Sequence, residues 1–173
     1  MFKLFDQIET ERFILRPLTE EDRLSLFSIA SDPSIWIQHP EQNRYQRPVF
    51  DRYFDKILSL DAPIIILDKH EGTPVGSSTY YFYNFEKSII TIGYSFLAVK
   101  YWGGQANREI KRELINYALQ FVKVVEFEVA SSNLRSRAAL EKIGALLDRT
   151  TIKSTPSGPP HEGCIYRITS PLT

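Results

Sequence analysis

The sequence predicts an α/β (α+β) chain folded as a single domain over residues 1–173, and three observations predict it. Two strand-like runs are each followed by a helix-like run. Residues 88–99 lead through a glycine pair into an amphipathic stretch reaching Leu119, and residues 125–129 lead through Asn133 into a stretch that stops at Gly144. The length of 173 residues exceeds a typical domain but falls short of two. A hydrophobic share of 43%, of which aromatic residues make up a large part, supplies the apolar surface for a core.

Taken in order, residues 11–15 read as a strand. Thr19-Glu20-Glu21-Asp22 opens a helix whose inner face is Leu24, Phe27 and Ala30, and Asp32-Pro33 ends it. Residues 34–48 mix Trp36, His39, Pro40, Arg44, Tyr45 and Arg47 without a period, so a loop or broken helix is expected before a short helix over residues 49–60. Residues 62–67 and 74–83 read as a hairpin around Asp68-Lys69-His70-Glu71-Gly72. A turn at Asn84-Phe85-Glu86-Lys87 leads into residues 88–99, whose Ile89, Ile90, Ile92, Tyr94 and Phe96 suit a buried central strand.

The next helix follows from spacing. Ala106, Ile110, Leu114, Tyr117 and Phe121 recur at three- and four-residue intervals, while Arg108, Lys111, Arg112 and Glu113 fall largely between them, so one stripe packs and the other is wet. Val125, Phe127 and Val129 then alternate with Glu126 and Glu128, as in a strand with unlike faces. Asn133 suits an N-cap, and Gly144 suits the position just past a helix C-terminus. Residues 146–153 and 163–169 read as a last hairpin around a Ser/Pro/Gly loop at 154–160, the only low-complexity patch; no internal repeat is present.

Gly103 and Gly104 stand at the mouth of a helix, where unpaired backbone N–H groups and the helix dipole can hold an anion such as a phosphate. A tight strand-to-helix turn explains the pair equally well, through the positive φ that glycine permits. The stretch lacks the Gly-Lys-Ser/Thr ending of a P-loop and the GxGxxG spacing of a dinucleotide site. With 21 basic and 21 acidic residues the net charge is zero, which argues against a nucleic-acid partner. The sole cysteine, Cys164, excludes a disulfide framework, and His39, His70 and His161 offer no metal spacing, so no metal is expected. The opening Met1-Phe2-Lys3-Leu4-Phe5 is too short for a signal peptide and no apolar run reaches membrane-spanning length; a cytoplasmic setting without a membrane partner is expected.

Three stretches in order, Thr10-Glu11-Arg12-Phe13-Ile14-Leu15-Arg16-Pro17-Leu18, the strand-loop-helix over residues 92–119, and the helix from Asn133-Leu134-Arg135-Ser136 to Gly144, resemble the GNAT superfamily of acetyl-CoA-dependent N-acetyltransferases. Within it the chain is most similar to the Rim-type branch, which includes ribosomal-protein N-terminal acetyltransferases. The resemblance spans roughly residues 8–169. It implies a twisted mixed sheet of six to seven strands flanked by helices, with acetyl-CoA as co-substrate in a V-shaped opening between two central strands. Its pyrophosphate would sit on the turn made by Trp102, Gly103, Gly104, Gln105, Ala106, Asn107 and Arg108, and its pantetheine arm would pair like an extra strand with Leu97, Ala98 and Val99.

The chain departs from the family loop Gln/Arg-x-x-Gly-x-Gly/Ala: Gln105 replaces the central glycine and Asn107 the last small residue. Asn107 can still adopt unusual backbone angles or bond a phosphate oxygen, and Arg108 either adds charge there or is a solvated helix-start cation. The tyrosine acid that many relatives carry late in the Asn133 helix is absent, with Glu141 in that stretch. Ser136 takes the place from which a serine of the Rim-type branch can stabilise the departing thiolate, and Asn133 would combine its cap with a cofactor contact. Glu126, Glu128, Tyr94 and His39 are the candidate general bases, and a water chain could replace all of them. Trp36 is either part of the acceptor wall or a packed aromatic; Tyr80, Tyr81 and Tyr83 read as sheet residues with polar tips.

The function so implied is acetyl transfer to a primary amine, of a protein N-terminus or a small molecule, by direct attack in a ternary complex. No activated cysteine constellation supports a covalent acetyl-enzyme, and Cys164 reads as structural. The chain would act as a monomer or homodimer. The competing readings are a non-catalytic acyl-CoA-binding or sensor module, and a partner-binding protein that keeps only the fold.

Overall fold

A computed structural model describes residues 2–155 and 158–173. Eight strands form one sheet: β1 (Ile8–Glu9), β2 (Phe13–Pro17), β3 (Ala62–Asp68), β4 (Pro74–Asn84), β5 (Ile89–Leu97), β6 (Val124–Ala130), β7 (Leu146–Thr155) and β8 (Gly158–Ile168), in the spatial order β1-β2-β3-β4-β5-β6-β8-β7. Every neighbouring pair is antiparallel except β5 and β6. A parallel pair cannot be joined by a hairpin, and the 13-residue helix α3 (Ala106–Ala118) supplies the crossover. The other helices are α1 (Arg23–Ala30), α2 (Arg47–Leu58) and α4 (Leu134–Lys142).

Two cores form, one on each face. Ile64, Ile66, Tyr80, Ile90, Ile92, Val125 and Phe127 pack with Ile110, Leu114 and Ile115 of α3 and Leu140 of α4. Ile65 and Phe96 pack on the opposite face with Leu26, Phe50, Phe54 and Ile57 of α1 and α2 and with Trp36. The run Ile64-Ile65-Ile66 thus serves both cores, which is why β3 reads as unbroken apolar sequence rather than an alternation.

The expected hairpins, the central strand and the Asn133 helix are present, with differences that have local causes. Residues 20–22 form a 3₁₀ turn, and the α1 helix starts only at Arg23. Asp22 accepts two hydrogen bonds from the Arg16 guanidinium at 2.8 and 2.7 Å and one from the Thr19 N–H at 2.9 Å, pinning that start against β2. The inner face consequently runs through Leu26 and Ala30, with Phe27 beside it, and Leu24 is 68% exposed, contrary to the expected stripe. Residues 34–48 are indeed broken, into 3₁₀ turns at Pro33–Ile35 and Gln42–Tyr45. The α2 helix begins at Arg47, with Pro48 in its first turn where no N–H is needed. The last two strands extend into the expected 154–160 loop, reaching Thr155 and resuming at Gly158; Pro156 and Ser157 lie outside the described residues. The two-residue β1 brings the strand number to eight.

Candidate functional site

Parting strands make the site. The β5–β6 pairing ends at Ile92↔Phe127, although β5 runs on to Leu97 and β6 to Ala130. Each strand instead follows its outer neighbour, β5 through Gly76↔Leu97 and β6 through Ala130↔Gly163. A bulge drives the divergence. Between Thr79↔Gly93 and Ser77↔Phe96, β5 carries one extra residue, and Tyr94 adopts φ +51. This conformation is rare for an aromatic residue and costs on the order of 1 kcal/mol. Tyr53 of α2 offsets part of it by donating its hydroxyl to the Tyr94 carbonyl at 2.8 Å. The bulge also resets the strand's alternation: Ile90 and Ile92 face α3, whereas Tyr94 and Phe96 join the α1/α2 core.

At the wide end of this notch lies the glycine turn. Gly103 has φ +72, so the left-handed residue is the first of the pair, and Gly104 is not in that region. Gly103, Gly104, Gln105 and Arg108 are exposed and Ala106 is buried. No side chain caps α3, and the first backbone bond back along the helix runs from the Glu109 N–H to the Gln105 carbonyl. The amides of Ala106, Asn107 and Arg108 therefore point out of the helix start as unclaimed donors within it. Beside them opens a cleft of about 500 Å³ lined by Glu11, Arg12, Gln105, Arg108, Glu109 and Arg112. Glu109 fixes this end of the helix to the residue just before β2, accepting from the Arg12 backbone N–H at 3.1 Å and from its guanidinium at 2.8 Å. Burial works to raise the Glu109 carboxyl, but bonds from Thr10 and Arg12 outweigh it and hold it below the usual range.

The expected strand-like contact at Leu97, Ala98 and Val99 meets backbone that is already engaged. The Trp102 indole donates to the Leu97 carbonyl at 2.9 Å, the Ala98 N–H donates to Val75, and the Ala98 and Val99 carbonyls accept from Tyr101 and Trp102. Residues 99–101 form a 3₁₀ turn rather than extended chain. The edge of β5 that parts from β6 lies earlier, over residues 93–97, so Leu97 is where the two regions overlap.

Across the notch, Asn133 caps α4 by accepting from the Ser136 N–H at 3.1 Å, and Gly144 closes it at φ +86, as the sequence led one to expect. Asn133 is buried and Ser136 half-buried. Arg135 ties the two walls together: its guanidinium stacks 3.9 Å from the Trp102 ring centroid and donates to the Ile35 carbonyl at 2.8 Å, and its N–H donates to Gln38. The glycine turn, the start of α4 and the broken segment after α1 thus meet at one mouth. Glu141 is not left as a vacant acid position; it accepts from the Tyr166 hydroxyl at 2.7 Å, and Arg137 donates to that same oxygen.

Candidate bases differ sharply in their surroundings. Trp36 is a packed aromatic, its indole donating to the Ala30 carbonyl at 2.7 Å. His39 accepts from the Glu41 N–H through Nδ1 at 2.9 Å, and burial, then the Arg44 guanidinium, draw its pKa down to about 3. Such an imidazole is neutral at pH 7 and too weak a base to hold a proton. Glu126 is held by Arg167 at 2.8 Å and Arg149 at 3.1 Å. Burial pushes the Tyr94 phenol up, and burial followed by the Glu128 carboxylate does the same to Tyr81. Glu128 stands on β6 one residue past the last β5 pair and lines a groove of about 480 Å³ with Thr91, Glu126, Arg149 and Arg167.

One residue of the notch contradicts the expected wet stripe. Lys111 is only 7% exposed; its ammonium donates to Ser95 Oγ at 2.8 Å and lies 5.3 Å from the Phe127 ring centroid. Residues 111, 114, 115 and 118 share one face of α3, and all four are buried. A lysine inside that otherwise apolar stripe was a signal the sequence carried. Cys164 is buried in β8, facing Val129 and Thr150 across its two neighbours. Among the described residues no His, Cys, Asp and Glu group could hold a metal ion, and no helix is long and apolar enough to cross a membrane.

Several solved structures share this architecture. One from Chromobacterium violaceum, described as a GNAT-family acetyltransferase, aligns with a TM-score of 0.83 at 18% identity, covering 95% of this chain and 86% of that one. A Vibrio cholerae protein described as a ribosomal-protein-serine acetyltransferase gives 0.73 at 16% identity, covering 95% and 97%. Spermidine N-acetyltransferase from Vibrio cholerae, in complex with CoA and spermine, gives 0.70 at 13% identity, covering 92% and 96%. At these identities the likeness is one of fold. A comparison with curated proteins gave no match. The sequence itself matches the family described as acetyltransferase (GNAT) domain over residues 12–146, which includes both walls of the notch and the turn at its mouth, and the chain belongs to that family.

Proposed function

We propose that this protein is an acetyl-CoA-dependent N-acetyltransferase of the Rim-type branch, moving an acetyl group to a primary amine of a protein N-terminus or a small molecule by direct attack in a ternary complex. The observation that carries this reading is the parting of β5 and β6 beyond Ile92 and Phe127, with an uncapped helix start at the open end. Acetyl-CoA, when bound, supplies the activated acyl group as a thioester. The amides of Ala106, Asn107 and Arg108, reached over Gly103 and Gly104 and flanked by Trp102 and Gln105, would hold its pyrophosphate, with Arg108 adding charge from the adjoining cleft. The pantetheine arm would lie along residues 93–97 as far as Leu97, with Ala98 and Val99 shaping the bend after it. Asn133 would orient the opposite wall and Ser136 would face the sulfur. The buried Cys164 supports direct transfer over an acetyl-enzyme, since a nucleophile must reach the notch.

The test is release of free CoA thiol in the presence of N-terminal peptides, amino acids and polyamines. At least one amine class is expected to raise release well above the rate in buffer, and Ser136→Ala to slow it by about tenfold through loss of one hydrogen bond to the leaving sulfur. A rate in Ser136→Ala equal to that of the unmodified protein removes Ser136 from the mechanism. No release with any class removes the function.

The turn makes its own prediction. Alanine at position 103 must either keep φ +72, at about 1 kcal/mol, or relax and carry the neighbouring amides with it. At position 104 a Cβ meets nothing within 4 Å and the backbone is not left-handed. Calorimetry should therefore show acetyl-CoA binding about fivefold weaker in Gly103→Ala and almost unchanged in Gly104→Ala, the fivefold being what about 1 kcal/mol represents.

A further inference from the structure

The proposed reaction leaves one buried ionisable group without a task. Lys111 projects from the second turn of α3 to the floor of the notch, with Phe127 at the vertex below it and Ser95 on the β5 wall beside it. Ser95 is three residues beyond the last β5–β6 pair, and unlike Lys111 it is exposed. Its hydroxyl accepts from Lys111 and is shared with the buried Ser78 at 2.8 Å. The bulge is what allows this. Without the extra residue in β5, Ser95 and Ser78 would not meet, and Ser95 would point away from α3. Lys111 and the hydroxyls of Ser95 and Ser78 are therefore joined by two short hydrogen bonds at the place where the acyl thioester would sit.

We propose that Lys111 is a positioning residue for the leaving group, delivering a proton through Ser95 to the sulfur that departs from the acyl donor. The inference rests on the acetyl-transfer reading above. As the acceptor nitrogen forms its bond to the acyl carbon, the carbon–sulfur bond breaks and its electron pair stays on sulfur. Ser95 Oγ passes its proton to that sulfur and takes one from the Lys111 ammonium. Lys111 is left neutral and is recharged by the proton that the acceptor nitrogen sheds to solvent, so the cycle closes without a further reactant.

The energetics favour this direction. Burial draws Lys111 down from 10.5 to about 7. An ordinary thiol titrates near about 8.5, so an ammonium poised near 7 yields its proton to a thiolate, whereas an ordinary lysine would keep it. A buried ammonium is also costly where an apolar side chain would pack, as Leu114 and Ile115 do on the same stripe.

Two measurements on Lys111→Met and Ser95→Ala test the proposal. In the first, the thiolate absorbance of bound CoA is titrated against pH in the absence of any amine. Lys111 sheds its own proton near pH 7 and the thiol beside it shares that loss as a coupled pair, so the absorbance should show a minor step near pH 7 in the unmodified protein that disappears in Lys111→Met. In the second, kcat should fall about 10- to 100-fold in both variants, with KM for acetyl-CoA changed less than about threefold and the alkaline limb of the pH profile lost. Ser95→Ala alters an exposed hydroxyl and reads the same path should Lys111→Met fail to fold. A thiol titration without that step in the unmodified protein, together with an unchanged kcat in Ser95→Ala, overturns the proposal while leaving acetyl transfer intact. Absence of thiol release by the unmodified protein instead strikes the function, and the titration of bound CoA still decides what Lys111 does.

Discussion

Gly76→Ala is expected to abolish the native fold or to lower its stability by about 3 kcal/mol or more, seen as a collapse of the urea midpoint. A Cβ at position 76 would stand 2.0 Å from the Phe96 carbonyl oxygen and 3.0 Å from the Leu97 Cα. Both obstacles are backbone, so no rotamer change relieves the collision. The site is also the last β4–β5 pair, Gly76↔Leu97, and the Ala98 N–H bonds to Val75 immediately after it. Separating β4 from β5 here breaks that anchor and moves Leu97, whose carbonyl holds the Trp102 indole. Loss of the close approach would therefore spread from the sheet to the glycine turn. Acetyl-CoA affinity should fall further than stability alone explains in any population that stays folded. A midpoint within about 0.3 M of the unmodified protein's would show that the two strands separate more easily than their registry indicates.

Much of the fold was legible because its signals are local. The hairpin around Gly72, the capped helix from Asn133 to Gly144 and the long central strand each follow from residue types at fixed spacings, and each lies where it was expected. The inner face of α1 was misread because a contact outside the helix sets where it begins: Asp22 is claimed by Arg16 of β2, which moves the first helical residue to Arg23. The lengths of the last two strands were underestimated because a Ser/Pro/Gly-rich run reads as loop, and cross-strand pairing overrides that preference up to Thr155 and from Gly158.

The candidate site was legible in its loops and not in its walls. Glycines and a capping asparagine announce themselves, whereas the bulge at Tyr94 has no sequence mark: a tyrosine at φ +51 is held there by Tyr53 from another element. With the bulge missed, Ser95 could not be placed opposite α3. Arg135 carried no sequence mark of its role, yet it stacks on Trp102 and bonds Ile35, contacts made across 33 and 100 positions of sequence. Lys111 was misassigned for a different reason. Periodicity weighs residue type before position, so a lysine was counted with the wet stripe although the 111, 114, 115, 118 spacing places it inside.

Lys111→Met is expected to make the ligand-free protein more stable at pH 6 by about 1–4 kcal/mol and to remove a pH dependence that the unmodified protein shows between pH 7 and 10. The sign follows from the proton count. The folded chain holds Lys111 at about 7 and the unfolded chain at its ordinary 10.5. Below pH 7 both states carry the proton, and the full cost of burying the charge weighs on the folded state. Between the two values the folded state has shed a proton that the unfolded state retains, so stability climbs as pH rises. Above 10.5 both are neutral and the burden is gone. The gap corresponds to about 5 kcal/mol at about 1.4 kcal/mol per pH unit, an upper limit on what methionine can recover because the Ser95 bond is lost with the amine. Methionine keeps the length and flexibility needed to pack against Phe127, so no large cavity offsets the gain. Urea unfolding at pH 6, 8 and 10 should give a rising series for the unmodified protein and a flatter one for the variant, the two converging at the alkaline end. Parallel series would mean that Lys111 reaches water in the native state, and the buried amine would then cease to be a feature of the notch.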